Sequence, residues 1–387
     1  MDGFHRQLNL NDLLAKKSIF LLGPRATGKT YLAREQLGDA AVFINLLRAN
    51  LYLRLSSSPW DLEEMIDGQR KDAASAIVVI DEIQKIPSLL DEVHRLIEER
   101  RFRFLLTGSS ARKLRHGHAN MLAGRAWKAE LHPLSWSEIP DFNLERYLHT
   151  GGLPVIYRSD DSDEELNAYV RTYLYEEVQA EGFVRNLPQF SRFLMNAALA
   201  NGQLLNFAQI SSDSQVPAST IKEHYQILED TLLGFRLEPW AHAKTRKAIA
   251  TSKFYLFDTG VARTLAGIGT IDRNSDTYGR AFEHWVATEL RSYLSYRRKH
   301  ESLCFWRTRH QLEVDFVIGS HTAIEVKAAR RVGDQDAKNL RAIAEEGSFK
   351  HLLLVSHDPV ETRHEGVTAL HWKTFVDQLW SGKLDVA

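Results

Sequence analysis

Eight residues near the start of the chain have the types and spacing of a phosphate-binding loop. They match the pattern GxxxxGK[ST] and are Gly23, Pro24, Arg25, Ala26, Thr27, Gly28, Lys29 and Thr30. The two glycines let the backbone bend so that successive N–H groups point at phosphate oxygens. The lysine adds a positive charge there, and the threonine hydroxyl can bind the Mg²⁺ that bridges the phosphates. The pattern predicts that these eight residues bind ATP or GTP, with Thr30 also a magnesium ligand.

The motif requires a strand before it and a helix after it, and the sequence supplies both. The apolar run Ser18 to Leu22 precedes the loop, and a helix-like segment from Tyr31 to Leu37 follows it. A second apolar run, Ala76 to Ile80, ends in Asp81 and Glu82, which is typical of a buried parallel strand with acids at its carboxyl end. We expect Asp81 to hold the metal through water and Glu82 to polarise the attacking water.

The next strand-like run also ends in polar side chains. Arg103 to Thr107 reads as a strand, and the segment from Gly108 to Ser110 opens a helix. Because this strand is expected to end near the acids, Thr107, Ser109 or Ser110 could sense the γ-phosphate. For Ser109 a helix N-cap is an equally good explanation. Thr107 and Ser109 are therefore candidate nucleotide-binding residues.

Length and composition limit the classes of protein to consider. With 387 residues the chain is longer than a single core usually grows, so we expect two or three domains. The 49 lysines and arginines balance 50 acids, so any contact with nucleic acid depends on local patches, which argues against a histone-like binder. Cys304 is the one cysteine, which excludes internal disulfides and cysteine-based zinc sites. Without a signal peptide or a membrane-length apolar run, we expect a cytoplasmic protein with no membrane partner.

The middle of the chain, residues 141–278, reads as helices followed by a strand pair. Apolar residues from Glu164 to Ala200 recur at helical spacing, with Pro188 as an interruption, so two or three helices are expected. A short helix, a turn and a longer helix from Ala218 to Thr231 follow and resemble a winged helix-turn-helix. The longer helix is poor in basic residues, whereas Lys244 to Lys247 could form a basic wing tip. DNA contact and a packing or oligomerisation role both remain open.

The last part, residues 279–387, places acids and a lysine on neighbouring strands. An amphipathic helix, three strand-like runs, a helix and a further strand are expected in that order. Asp315 lies on the second strand, and the period of two puts Glu325 and Lys327 on one face of the third. Two carboxylates can hold a divalent cation while a lysine orients or activates water, which is what phosphodiester cleavage requires. A purely structural Asp–Lys pair is the alternative.

The order of these motifs resembles the AAA+ ATPases, in particular the bacterial and archaeal branch with a C-terminal domain of the DUF4143 type. The resemblance rests on GPRATGKT, IVVIDEIQKIP, FLLTGSSA and LAGRAWKAELHPLSWSE, and on GGLP at 151–154 and KFYLFDTG at 253–260. It implies ATP and Mg²⁺ as cofactors and a homo-oligomer, for which a hexameric ring is one form. It also implies an arginine finger at Arg125, with Arg112 as second candidate, reaching a neighbouring subunit's γ-phosphate. A surface arginine at a helix C-terminus is the alternative for Arg125.

The last part of the chain also resembles the core of the PD-(D/E)XK nucleases. This resemblance implies catalytic roles for Asp315, Glu325 and Lys327, with Asp315 and Glu325 binding Mg²⁺ or Mn²⁺ and Glu283 as an extra metal ligand. The chain departs from the family motif at Val314, where the motif has proline. Basic residues that could follow a DNA backbone lie nearby in sequence, at 297–299, 307, 309 and 330–331.

Together these expectations give an α/β fold class. We expect a P-loop AAA+ domain (1–140) with helices on both faces of a parallel sheet, a helical and winged-helix-like domain (141–278), and a restriction-endonuclease-like α/β domain (279–387). The leading hypothesis is an ATPase that couples nucleotide turnover to DNA remodelling and metal-dependent DNA cleavage, with DNA and copies of itself as partners. The alternative is a nucleotide-controlled switch that binds a protein or DNA partner through an inert nuclease-like domain.

Overall fold

The computed structural model describes residues 3–69, 76–109, 122, 124–174, 184, 186–243, 246, 249–384 and 386. The chain divides into two compact units. Unit 1 comprises Met1–His132 with Asp230–Leu233, and unit 2 comprises Pro133–Glu229 with Gly234–Ala387. Several residues singled out from the sequence lie outside the described residues, namely Ser110, Arg112, Lys244 and Lys247.

Unit 1 is a parallel α/β structure. Its described helices are α1 (Leu10–Leu14), α2 (Lys29–Leu37), α3 (Ala49–Ser57), α4 (Asp61–Gln69) and α5 (Leu89–Arg100). Its described strands are β1 (Ser18–Leu22), β2 (Ala41–Asn45), β3 (Ile77–Asp81), β4 (Arg103–Gly108) and β5 (Ala126–Glu130). All of their pairings are parallel, in the order β2-β3-β4-β1-β5, which confirms the predicted parallel sheet. The carboxyl ends of β1, β4 and β3 therefore meet at one edge.

The apolar pattern explains why β3 lies inside this sheet. Its first four residues, isoleucines and valines, are β-branched, and almost all of the strand is buried, as expected for a strand that is covered on both faces. Helix α5 adds Leu89, Val93 and Leu96 from one face to the same core. The strand ends at Asp81, and Glu82 adopts a left-handed φ of 64°, which turns the chain into a short 3₁₀ helix. This turn leaves the two acids at the carboxyl edge of the sheet.

Unit 2 combines helices with a mixed sheet. Its described α-helices are α6 (Leu144–Thr150), α7 (Pro154–Arg158), α8 (Ser162–Ala168), α9 (Leu187–Leu199), α10 (Phe207–Ser214), α11 (Ala218–Asp230), α12 (Thr259–Leu265), α13 (Asp276–Tyr296), α14 (Lys338–Ala344) and α15 (Trp372–Ser381), and a π-helix (Tyr169–Leu174) follows α8. Its described strands are β6 (Gly234–Pro239), β7 (Lys253–Leu256), β8 (Leu303–Arg307), β9 (Glu313–Ile318), β10 (Thr322–Lys327), β11 (His351–Ser356), β12 (Thr362–His364) and β13 (Val367–His371). Pro188 lies in the first turn of α9, where proline is tolerated.

The sheet of unit 2 extends further than the sequence suggested. Strands β8, β9 and β10 form the predicted antiparallel meander, and β11 joins β10 in parallel after α14. Beyond the meander, β6 pairs in parallel with β8, and β7 pairs antiparallel with β6. The predicted hairpin from the middle of the chain is thus the edge of an eight-stranded sheet with the order β12-β13-β11-β10-β9-β8-β6-β7. The boundary predicted after residue 278 falls within α13, and the division into three domains stays a prediction.

The segments 151–154 and 253–260 meet in unit 2. The buried carboxylate of Asp258 accepts hydrogen bonds from the N–H of Gly152 at 2.7 Å and from the N–H of Val261 at 3.0 Å. The second of these caps α12. A Cβ on Gly151 would lie 1.9 Å from Asp258 Oδ1, so a side chain at this position would displace the carboxylate. The contact explains Gly151 in the first segment and Asp258 in the second, whereas a Cβ on Gly152 would lie 2.3 Å from Tyr147 Oη.

Candidate functional site

The predicted phosphate-binding loop joins β1 to α2 in unit 1. Ala26 has a φ of 63° and Gly28 a φ of 92°, so two left-handed residues bend the loop before α2 begins at Lys29. Such alternation turns successive N–H groups toward one concave side, which suits an anion. A Cβ on Gly23 would lie 2.4 Å from the carbonyl oxygen of Leu131, so only glycine fits there. The sequence therefore folds locally into the shape that the motif requires.

Hydrogen bonds brace the loop from within and from a distant residue. Lys29 Nζ donates to the carbonyl oxygens of Gly23 at 2.7 Å and Pro24 at 3.0 Å, and the fully buried Thr27 donates from Oγ1 to Pro24 O at 2.8 Å. Arg6 Nη1 donates to Thr27 O at 2.7 Å. Sequence reasoning missed Arg6, because a contact between residues 6 and 27 has no local signal.

The acids at the end of β3 contact the loop and the neighbouring strand. Thr30 Oγ1 donates to Asp81 Oδ2 at 3.0 Å, and Thr107 Oγ1 donates to Asp81 Oδ1. The N–H of Glu82 donates to Thr107 Oγ1 at 3.3 Å. Thr107 Oγ1 therefore contacts both acids, since β4, which carries it, pairs with β3 in the sheet. The Thr30 hydroxyl and the Asp81 carboxylate are oxygen donors of the kind that Mg²⁺ prefers, so these residues fit the metal.

A further side chain orients Glu82. Gln84 Nε2 donates to Glu82 Oε2 and lies 3.4 Å from Ser109 Oγ, which brings Ser109 into the same network. A Cβ on Gly108 would lie 2.7 Å from Gln84 Oε1, so the glycine makes room for this amide. We infer that Gln84 fixes the direction of the Glu82 carboxylate. Gln84 could not be singled out from the sequence, because the 3₁₀ turn that brings its side chain back toward Glu82 is not apparent from the pattern.

Arg125 lies away from the loop within unit 1. It precedes β5, whose Ala126 pairs with Ser18 at the start of β1, whereas the loop follows the end of β1. Five residues of strand span about 16 Å. Its Nε donates to Glu98, and this arginine holds the pKa of Glu98 below the ordinary value. A role toward a neighbouring subunit's nucleotide stays a prediction.

In unit 2, the structure brings Asp315, Glu325 and Lys327 together. The antiparallel register of β9 and β10, continued by one residue, places Asp315 opposite Glu325. Asp315 Oδ2 accepts a hydrogen bond from the N–H of Val326 at 2.8 Å, and Lys327 Nζ donates to Glu325 Oε1 at 2.7 Å. We call these three residues, with Glu283, the acidic pocket.

Two of these carboxylates are buried side by side. Asp315 is 8% exposed and Glu325 is 2% exposed. Burial raises the pKa of both, and the charges of Glu325 and Glu283 raise that of Asp315 further. Glu325 Oε2 is buried with no donor within hydrogen-bond distance among the described residues, and the nearby Asn339 side chain partly offsets the rise in the pKa of Glu325. A cation would relieve this repulsion, and Mg²⁺ often uses only one or two protein carboxylates, so the pair fits a metal.

Glu283 lies beside this pair but contacts other groups. Its Oε1 accepts from Tyr255 Oη at 2.5 Å and lies 3.1 Å from Lys253 Nζ. Lys253 also contacts Glu313 Oε1 at 2.6 Å. Among the described residues, no group of three His, Cys, Asp or Glu side chains is arranged to hold a metal ion. Sequence reasoning assigned no chemistry to Lys253 and Tyr255, although both lie in the segment 253–260.

The basic residues noted in the sequence differ in their surroundings. Arg246, the described part of the expected wing tip, contacts Glu345 at 2.6 Å and Glu346 at 3.0 Å. Arg330 and Arg331 are exposed and lie in the segment that follows β10.

Family models match three successive parts of the chain. One family model, described as an AAA domain, matches residues 15–140, and another, DUF4143, matches residues 278–375. The chain carries an AAA domain and a DUF4143 domain. The AAA domain has the fold of a P-loop ATPase and contains the loop, Asp81, Glu82 and Thr107. Residues 141–272, between the two domains, match a further domain of unknown function, DUF8612.

Relatives extend across both domains. The chain is 26% identical over 315 residues to an uncharacterized protein of Mycobacterium tuberculosis, Rv2008c, covering 78% of this chain and 67% of the relative. It is 25% identical over 341 residues to an uncharacterized protein of Methanocaldococcus jannaschii, covering 79% and 73%. A solved Walker-type ATPase of Pyrococcus abyssi is 16% identical, with a TM-score of 0.49 over 67% of this chain and 94% of that one. In the described part of the chain, no helix has the length and apolar character needed to cross a membrane.

Proposed function

We propose that the AAA domain binds Mg-ATP and hydrolyses it. The proposal rests on the contacts from Thr30 through Asp81 and Thr107 to Glu82, which join the loop to the acids. Bound Mg²⁺ would neutralise charge on the β- and γ-phosphates. Lys29 would add a positive charge to the same oxygens, and Glu82, held by Gln84, would orient water and accept its proton.

Phosphate release and nucleotide binding, measured together, test this proposal. We expect Lys29→Ala to lose both, because the charge that meets the phosphates is gone. Glu82→Gln should bind ATP within threefold of the wild type and hydrolyse it at least 100-fold more slowly. Glu64→Gln, on the exposed face of α4, is the matched control and should behave as the wild type. Hydrolysis by Glu82→Gln at the wild-type rate would contradict the assignment.

We further propose that the acidic pocket cleaves DNA with the help of a divalent cation. The supporting observation is the unpartnered, buried Oε2 of Glu325 next to Asp315 and Lys327. Asp315 and Glu325 would hold Mg²⁺ or Mn²⁺, which would supply Lewis-acid activation of the phosphate. Lys327 would orient the attacking water, and Arg330 and Arg331 would contact the backbone of the DNA. The active form would be a homo-oligomer of this chain.

A DNA-cleavage assay analysed on a gel distinguishes a nuclease from a protein that only binds DNA. Purified protein is incubated with labelled linear, forked and four-way DNA, with Mg²⁺ or Mn²⁺, and with or without ATP. We expect metal-dependent cleavage that is lost in Asp315→Ala and Lys327→Ala. If a clean preparation of each variant still cleaves DNA, the cleavage does not depend on the acidic pocket. That result would remove the nuclease assignment.

A second candidate function is a nucleotide-controlled switch that binds a protein or DNA partner without cutting it. The ion pairs of Lys253 with Glu283 and Glu313 favour this function, because a carboxylate of the pocket that is already paired with a lysine is less available to bind a metal. Under this proposal the DUF4143 domain is a binding scaffold. The expected results are slow hydrolysis independent of protein concentration, no Mn²⁺ bound in unit 2, and partner binding that differs between ATP and ADP.

A further inference from the structure

A buried lysine from outside the DUF4143 domain lies against the acidic pocket. Lys253 is on β7, before the residues that the DUF4143 model matches, and is 4% exposed. Its Nζ lies 3.1 Å from Glu283 Oε1 and 2.6 Å from Glu313 Oε1. Tyr255, two residues later on β7, donates to the same Glu283 oxygen at 2.5 Å. The edge strand β7 therefore supplies two groups that hold one carboxylate.

The direct contacts around the pocket divide its charged groups into two sets, although the charge of Lys253 also opposes the rise in the pKa of Asp315. In the first set, Glu283 and Glu313 are balanced by Lys253 and by Arg307, whose Nη1 lies 2.7 Å from Glu313 Oε2. The first set has no net charge.

The second set consists of Asp315, Glu325 and Lys327. Lys327 Nζ donates to Glu325 Oε1 at 2.7 Å, and Asp315 Oδ2 accepts from the backbone N–H of Val326 at 2.8 Å. This set also contains the buried, unpartnered Oε2 of Glu325. The second set therefore offers a cation a carboxylate oxygen without a close donor, whereas the carboxylates of the first set already contact Lys253 and Arg307.

We propose that Lys253 is a positioning residue that keeps Glu283 out of the metal coordination, so the pocket takes one divalent cation, at Asp315 and Glu325. The inference rests on the metal site of the proposed function. A buried ammonium beside Glu283 repels a second cation, because charges interact strongly where water is excluded. If Glu283 turned to a metal, Lys253 would lose one of its two carboxylate partners while staying buried, which is unfavourable.

Counting bound Mn²⁺ tests this inference without any activity. Full-length protein carrying Thr30→Val and Asp81→Ala, which together remove the two candidate metal ligands of the AAA domain, is titrated with Mn²⁺ without nucleotide, and free Mn²⁺ is read by electron paramagnetic resonance. We expect one Mn²⁺ per chain. Glu283→Gln should change the dissociation constant less than threefold, whereas Glu325→Gln should raise it more than tenfold. Lys253→Met should admit a second Mn²⁺ at the freed carboxylates.

The outcomes distinguish this inference from the proposed function. A loss of affinity above tenfold in Glu283→Gln, or two ions per chain before Lys253 is changed, would overturn the inference and leave the metal site in place. A single ion in folded Lys253→Met would overturn it as well. No bound Mn²⁺ in any variant would remove the metal site and the inference together. Glu283→Gln remains decisive if Lys253→Met does not fold, which thermal unfolding of each variant reports.

Discussion

Replacing Thr107 with valine removes one hydroxyl and almost no volume. Thr107 is fully buried on β4, where Oγ1 donates to Asp81 Oδ1 and accepts from the Glu82 N–H at 3.3 Å. Valine fills the same space but makes neither contact. Thr107→Ser is the matched control, because serine keeps the hydroxyl and loses only a methyl group.

The size of the effect follows from the partner's charge. A hydrogen bond to a charged group contributes about 1.5–3 kcal/mol. If the Asp81 contact is needed to orient the acids for hydrolysis, its loss lowers kcat about 10- to 100-fold, since about 1.4 kcal/mol is a factor of ten. ATP binding depends chiefly on the loop and should change less than threefold.

Steady-state phosphate release gives kcat, and fluorescent nucleotide titration gives Kd. We expect Thr107→Val to lower kcat by this factor at nearly unchanged Kd, with Thr107→Ser within threefold of the wild type. Wild-type turnover in Thr107→Val would refute the role of the hydroxyl. Equal damage in both variants would show that packing, rather than the hydroxyl, matters at this position.

Three further predictions concern fit and charge. Gly23→Ala should weaken ATP binding at least tenfold, because its Cβ would lie 2.4 Å from Leu131 O; wild-type affinity would contradict this. Gly260→Ala should lower the free energy of unfolding of unit 2 by about 1–3 kcal/mol in urea, because its Cβ would lie 2.3 Å from Thr150 O. Burial raises the pKa of Glu289 to about 8, so the folded chain holds a proton that the unfolded chain releases. The thermal midpoint of unit 2 should therefore fall as pH rises from about 4.5 to 8, and Glu289→Gln should reduce this dependence; an unchanged slope would contradict it.

Local patterns were sufficient to predict the fold of the AAA domain. The loop has a fixed spacing, and β3 is an apolar run that ends in acids, so both can be recognised within a few residues. Since parallel strands end at the same edge, the contact of Thr30 with Asp81 follows from placing the two motifs on one sheet. The meander that carries Asp315 and Glu325 was likewise predictable from its period of two.

Contacts between distant segments could not be predicted in this way. The alternation of a strand shows which face is buried but not which strand lies beside it, so nothing indicated that β6 pairs with β8. The contact of Lys253 with Glu283 depends on that pairing, because β7 is held at the sheet edge by β6. Arg6 and Gln84 could not be predicted for a related reason. A long-range contact with Thr27 determines the position of Arg6, and a tight turn determines that of Gln84.

Cleavage of labelled forked DNA by the full-length protein, timed with and without ATP in Mg²⁺, tests most directly whether the two sites act together. We predict that ATP accelerates cleavage by the wild type and has no such effect in Glu82→Gln. Asp315→Asn should hydrolyse ATP at the wild-type rate and cut nothing. Equal acceleration by ATP in the wild type and in Glu82→Gln would contradict the coupling of ATP hydrolysis to DNA cleavage.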